Sequence, residues 1–309
     1  LRNPEVATEL WLEVREHAPG DMDALDALEA LYEKGRDYEK LAEIIETKVS
    51  EVDDPDTQMK LYQKLGMLYS DRLEDSERAI EAWKGALELD PDDLKAKKAL
   101  ERLYVDREDW DALETFYAEG DGYQDLVRVM ETLAGTVDED HVKIELLSRA
   151  ARIWREELED TGRAERDLER IMEVDDRNEQ AARQLAPIYR EKQEWEKLRE
   201  SYEVILEHQD EVEERREIQL DLARLHANEL DAPQGAFRWY GEAYRESPGN
   251  ADLAENLEGA TEVSSNWGAL AELYREILGQ ELDEDAEIGL RLRLGRVLSH
   301  RLEQLDDAI

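Results

Sequence analysis

The stretch Leu61-Tyr62-Gln63-Lys64-Leu65-Gly66-Met67-Leu68-Tyr69, followed by Ala79-Ile80-Glu81-Ala82-Trp83-Lys84-Gly85-Ala86 and closed by Asp90-Pro91-Asp92-Asp93, decides how this chain folds. Leu61, Leu65, Leu68 and Tyr69 recur at three- and four-residue spacing, and so do Ala79, Ile80, Trp83 and Ala86. Each set makes one apolar stripe along one helix. Glu74-Asp75 lies between the two, and the second set ends in proline flanked by capping carboxylates, which is turn chemistry. The segment therefore reads as a helical hairpin with an apolar side that it cannot bury by itself.

The opening of the second helix recurs outward in both directions. Ala7-Thr8-Glu9-Leu10-Trp11, Ala79 to Trp83, Ala164-Glu165-Arg166-Asp167-Leu168 and Ala236-Phe237-Arg238-Trp239-Tyr240 stand 72, 85 and 72 residues apart, and Ala308 stands 72 further on. Self-similarity at a fixed period marks an array. The repeat units are 7–78, 79–163, 164–235 and 236–307, within one solenoid spanning 1–309 that is expected to be a slice of a longer array. Each unit holds about four helices, so the period is a pair of hairpins. The long second unit has a visible cause. Trp110-Asp111-Ala112-Leu113 is followed 13 residues later by Tyr123-Gln124-Asp125-Leu126, and both resemble Tyr38-Glu39-Lys40-Leu41. A 13-residue insertion near 110–123 has duplicated one helix start, with Glu119-Gly120-Asp121-Gly122 as the turn between the copies. An extra or broken helix is expected there.

Composition agrees with helix throughout: 39% of residues are charged, 41% hydrophobic, and only 7 are Pro and 16 Gly. The formal net charge of −41 repels nucleic-acid phosphates and anionic lipid, which bind basic side chains, so neither is an expected partner. The absence of Cys excludes disulfides, thiolate zinc sites and a cysteine nucleophile. No apolar run reaches the roughly 18 residues of a membrane span, and neither a span nor a signal peptide is expected. A soluble, cytoplasmic chain is expected.

The hairpin resembles the tetratricopeptide repeat family (TPR), whose pattern places an aromatic, Leu-Gly and Tyr on the first helix and Ala, an aromatic, Ala and Pro on the second. Tyr62, Leu65, Gly66, Tyr69, Ala79, Trp83, Ala86 and Pro91 match it, with one extra residue in the intervening turn. Leu294-Gly295 and Ala236, Tyr240, Ala243 and Pro248 match again, while Ala150-Ala151 with Trp154 and Leu222-Ala223 with His226 are weaker versions. The resemblance covers essentially the whole chain. It implies an all-α fold, an α-solenoid of stacked antiparallel helical hairpins forming a right-handed superhelix. Small residues at 66, 151, 223 and 295 let the two helices cross closely. The alternate hairpins depart: Glu29, Glu101 and Glu258 replace the small residue, and Leu41, Leu113, Leu198 and Leu270 replace the Ala. Those hairpins are expected to open wider or to pack at another angle.

No catalytic signature is present: no Gly-rich phosphate loop, no Gly-x-Ser-x-Gly and no His-Glu-x-x-His. The five histidines lack ligand spacing, and His226 takes the packing position of Tyr69 and Trp154. Asp138-Glu139-Asp140 and Asp283-Glu284-Asp285 lack the alternating ligands and central Gly of a calcium loop. No metal, cofactor or enzymatic activity is expected. Trp11 and Trp83 share one phase and Trp110, Trp195 and Trp267 another, as core residues of an array do. Pro187 is expected to kink its helix or delay its start.

In the family, the first helix of each hairpin lines a concave groove at positions two, five, nine and twelve. The resemblance places Lys60, Gln63, Met67 and Ser70 there, then Lys95, Lys98, Arg102 and Val105, then Glu145, Ser148, Arg152 and Arg155. Gln180, Arg183, Pro187 and Arg190 follow, then Glu217, Leu220, Arg224 and Ala227. The centre is basic, whereas Asp23, Asp26 and Glu33 near the start and Asp252, Glu255 and Glu262 near the end are acidic. Lys95, Lys98, Arg102, Arg152, Arg155, Arg183, Arg190 and Arg224 are the candidate partner-binding residues. Guanidinium groups pair bidentately with carboxylates, so an acidic peptide or a C-terminal carboxylate fits this groove. The competing reading is that these bases neutralise acids on adjacent helices. The expected function is a protein-binding scaffold. Self-assembly into an oligomer or filament, and a regulatory arm of a larger multidomain protein, are the alternatives.

Overall fold

The computed structural model describes residues 4–302, so Ala308 and the end of the fourth repeat unit lie outside the described residues. The described chain is helix and turn, in two compact units that divide between Gly122 and Tyr123. The first unit holds α1 (Pro4–His17), α2 (Met22–Gly35), α3 (Tyr38–Glu51), α4 (Pro55–Leu68), α5 (Ser76–Leu89), α6 (Leu94–Asp106) and α7 (Trp110–Ala118). The second holds α8 (Tyr123–Ala134), α9 (Asp140–Glu156), α10 (Thr161–Val174), α11 (Glu179–Lys192), α12 (Trp195–Glu207) and α13 (Val212–Asn228). It continues through α14 (Pro233–Glu246), α15 (Ala251–Ser264), α16 (Trp267–Leu278) and α17 (Glu284–His300).

Capping chemistry sets where these helices begin. Asp21, Asp37, Asp54, Asp75, Asp93, Asp109, Asp160 and Asn178 each accept a backbone N–H from the first turn that follows. An N-cap carboxylate also suits the positive end of the helix dipole. Within each unit the extensive packing is between helices consecutive in the chain, as in a solenoid of antiparallel hairpins.

Two hairpin types alternate, and the crossing residue separates them. In α4–α5, Gly66 faces the Trp83 indole, and a Cβ at 66 would stand 2.6 Å from its Nε1. Ala151 and Ala223 hold the same place against α10 and α14, both fully buried. These three pairs pack closely along their length. Glu29 and Glu258 stand at that place in the other type, and α15 meets α16 over a shorter stretch. Glu101 does the same where α6 meets α7. Ala186 makes α11 the exception, and α11 packs closely on α12.

The turns alternate in step. In the close hairpins the backbone N–H six residues on returns to a carbonyl: Asp75 to Tyr69 at 3.0 Å, Asp160 to Trp154 at 2.7 Å and Ala232 to His226 at 2.9 Å. In the open type the return is five residues, as from Asp37 to Tyr32 at 3.0 Å and Glu194 to Tyr189 at 2.9 Å. The extra residue of the first class is taken up after α4 by a π-helical turn, Tyr69–Leu73. Trp83, Trp110, Trp154 and Trp239 are buried, but Trp11, Trp195 and Trp267 are only half-buried, so a shared phase does not give all of them a core place. Helix α11 runs through Pro187 without a break and its start is not delayed; the ring lies on the exposed face, while Ala186 and Ile188 are packed.

Candidate functional site

The five candidate residues of the second unit stand on first helices. Arg152 lies one turn before the end of α9 and Arg155 within its last turn, and Arg183 lies one turn into α11. The packing of Ala150, Ala151 and Ile153 on one side of α9, and of Ala181, Ala182 and Leu185 on α11, leaves these arginines facing solvent. They converge on one open depression of about 650 Å³ lined also by Glu145, Ser148, Gln180 and Gln184. Arg149 is a fourth guanidinium in that lining, outside the groove register and missed in the sequence.

Each of these cations has company. Arg149 donates to Glu145 at 3.0 Å, Arg155 to Gln184 at 3.0 Å and Glu156 at 2.9 Å, and Arg183 to Glu179 at 2.7 Å. Arg152 lies 4.0 Å from Glu156. These pairs are largely on the surface, where each contributes roughly 0–1 kcal/mol and is readily exchanged for another carboxylate. The arrangement can offer several guanidinium groups to one anionic segment, with Ser148, Gln180 and Gln184 as further polar partners.

Arg190 and Arg224 are placed differently. Both lie in a smaller depression of about 230 Å³ with Trp195, Tyr202 and Asp221. Arg190 contacts Tyr202 and donates to Asp221 at 2.8 Å, while Arg224 lies 3.4 Å from the other oxygen of Asp221. Burial works against the Arg190 charge, but Tyr202 and Asp221 outweigh it and hold the proton more tightly. These two bases share one internal carboxylate. Lys95, Lys98 and Arg102 lie on α6 in the first unit. Lys95 sits over the Trp83 ring at 5.7 Å, and Arg102 lies 3.4 Å from Asp106. Lys98 is exposed.

The sequence places the repeated acids Glu29, Glu101 and Glu258 at the crossing, but their partners escaped it. Glu29 accepts from Lys48 at 2.5 Å and Lys64 at 2.8 Å. Glu258 accepts from Tyr274 at 3.0 Å and Arg293 at 2.8 Å, and Glu101 from Tyr117 at 2.6 Å. The acid that opens the hairpin is thus bound by the second helix of its own hairpin. Lys64 and Arg293, each one residue before a Leu-Gly pair, add a bond from the next first helix. Asp167 is buried on the packed side of α10, as is Glu165 on the same helix, and stands where sister repeats carry Ala82 and Trp239. Its Oδ1 accepts from Arg170 at 3.1 Å. Burial, and then the Glu131 charge, push its carboxyl up to about 7 against the pull of Arg170.

Close crossings at Gly66, Ala151 and Ala223, alternating hairpins and packing by chain order define an array of divergent tetratricopeptide-like repeats. No family model and no curated protein matches the chain. Among solved structures it is similar to the structure of Naa15/Naa10 bound to HypK-THB, at 14% identity and a TM-score of 0.33 over 98% of this chain. The chain spans 55% of the length of that protein. A TPR repeat-containing protein of Cytophaga hutchinsonii is similar at 15% identity and a TM-score of 0.33, over 82% of this chain and 95% of that one. PilF of Pseudomonas aeruginosa follows at 16% identity and a TM-score of 0.26, over 82% and 90%. The hairpins themselves, rather than likenesses of this size, define the class. Among the described residues no helix is long and apolar enough to cross a membrane.

Proposed function

We propose that this chain is a non-enzymatic scaffold that holds protein segments, with an acidic segment seated between α9 and α11. The observation that carries the reading is the convergence of Arg149, Arg152, Arg155 and Arg183 on one depression in a chain of net charge −41. Glu145 and Glu156 are exposed and Glu179 is half-buried, and none is held by more than surface-strength pairing, so an incoming acidic segment replaces partners of equal chemistry. Arg190 and Arg224, tied to Asp221, belong to internal charge balance.

Affinity capture at low and high salt tests this, with the protein as bait and the Arg152, Arg155 and Arg183 triple Ala variant beside it. Retained proteins should carry acidic segments, should be released by salt, and should be lost with the triple variant but kept when Arg190 and Arg224 are replaced. Capture that ignores the triple substitution overturns the site. Self-association is the second reading, favoured by Val6, Leu10 and Val14, which line one exposed face of α1. A mass that rises with concentration, and falls back in Leu10→Glu, would support it.

A further inference from the structure

We infer that the depression between α5 and α7 is a second docking surface, one that takes a basic segment carrying an arginine beside a large apolar side chain. The array supplies its own comparison. The second helices α5 and α7 of the first unit match α14 and α16 of the second, with Trp83 and Pro91 in the places of Tyr240 and Pro248, and Trp110 in that of Trp267. Both pairs form a depression at the same register. Glu88, Phe116 and Glu119 line one, and Arg245, Leu273 and Glu276 line the other at the matching places. In the α14–α16 pair Arg245 crosses the gap: its Nε and Nη2 each donate to Glu276 at 3.1 Å, and its Nη1 donates to Glu242 at 2.9 Å. The preceding residue, Tyr244, is buried with its ring 5.9 Å from that of Tyr274. The space left there is about 450 Å³.

In the α5–α7 pair both closing groups have changed. Glu88 stands in the place of Arg245, so two carboxylates, Glu88 and Glu119, line one depression. Ionised carboxylates accept hydrogen bonds and donate none, so neither can strap the gap to the other. Neither is held by a cation among the described residues. Leu87 replaces Tyr244, and the depression runs down to Leu100 and Tyr104 on α6, with the Phe116 ring 6.0 Å from that of Tyr104. Its volume is about 710 Å³, and its apolar floor has no counterpart in the lining of its sister. Lys84 and Lys97 reach the rim, but Lys97 pairs with Asp92 at 3.4 Å, which leaves one cation against two acids. A guanidinium from outside restores the missing strap, with Glu119 accepting from it as Glu276 does from Arg245 and Glu88 offering a second carboxylate. An apolar side chain next to it fills the floor. The net charge of −41 draws a basic segment toward the chain. This partner is opposite in charge to the segment proposed for α9 and α11, and the inference does not rest on that reading.

Calorimetric titration of the whole chain with the acetylated, amidated peptide Gly-Ser-Leu-Arg-Phe-Ser-Gly in about 150 mM sodium chloride tests it. Saturable binding is expected, and replacing the peptide's arginine by glutamine, or its two apolar residues by serine, should weaken it about tenfold. Glu88→Arg rebuilds the strap, and Leu87→Tyr refills the floor without changing charge; each should weaken binding about tenfold or more. Glu173→Arg makes the same charge change at the matching place of α10 and should leave binding unmoved. Should Leu87→Tyr lose helix content, the exposed Glu88→Arg decides alone. Binding that ignores these substitutions, binding that Glu173→Arg weakens as much as Glu88→Arg, or no saturable binding up to about 1 mM peptide overturns the inference.

Discussion

Gly66 sits where α4 crosses α5, and the Trp83 indole fills the space that a side chain would take. Gly66→Ala trades a helix-propensity gain of about 1 kcal/mol against overpacking of roughly 1–3 kcal/mol, and overpacking wins because the ring is buried on all sides. The expected result is a lower urea midpoint. Gly259→Ala is the control, since nothing lies within 4 Å of that position, and it should stabilise by about 0.5–1 kcal/mol. Asp167 makes a prediction of a different kind. Its carboxyl is pushed up to about 7 by burial and by Glu131, so the folded state prefers the protonated form. The stability it contributes is complete below its unfolded value of about 4 and is lost as pH rises through about 7. Asp167→Asn should remove that decline. Urea midpoints of the two proteins, compared from pH 4 to 8, should diverge steadily in favour of the variant, and parallel curves would refute the assignment.

Among the described residues, eight helix-to-helix turns place a non-glycine residue in the left-handed region: Arg36, Glu74, Glu108, Asp121, Glu159, Gln193, Asp231 and Ser265. A side chain there costs about 1–2 kcal/mol, part of which glycine gives back through its greater unfolded freedom. Gln193→Gly at the end of α11, where φ is 59°, should therefore stabilise by about 0.5–1 kcal/mol in thermal or urea unfolding. The same turns mark how far the sequence is legible. Glu74-Asp75, Glu159-Asp160 and the segment before Asp231 read as turns from their capping residues, but nothing in them announces a left-handed residue, because no glycine stands there. The pairing of hairpins was legible, since Gly66, Ala151 and Ala223 repeat against Glu29, Glu101 and Glu258. Side-chain partners were not. Acids outnumber bases two to one, so a register places Arg183 on the correct face without saying that Glu179 meets it. Asp167 was invisible for the same reason, being one carboxylate among 81 acidic residues.

Across the whole molecule the 81 acidic residues face 40 bases, and the ion pairs leave a large surplus of like charge on the surface. Two effects of salt oppose each other. Screening weakens the pairs, which contribute roughly 0–1 kcal/mol each and act over a few ångströms. It also weakens the repulsion among surplus carboxylates, which at about 10 mM salt extends roughly 30 Å and so spans several helices, against about 8 Å at physiological strength. Repulsion wins because it sums over all surplus charges, whereas each pair is local and half-solvated. Stability in urea, an uncharged denaturant, should therefore rise as sodium chloride is raised from about 10 to about 300 mM. A midpoint that falls over this range would mean that the ion-pair networks, not the surplus, set the electrostatic balance. Capture of an acidic segment at the α9–α11 depression should weaken over the same range, because there the charges attract. Opposite salt responses of folding and of capture separate the charge that keeps this array apart from the charge that holds its partner.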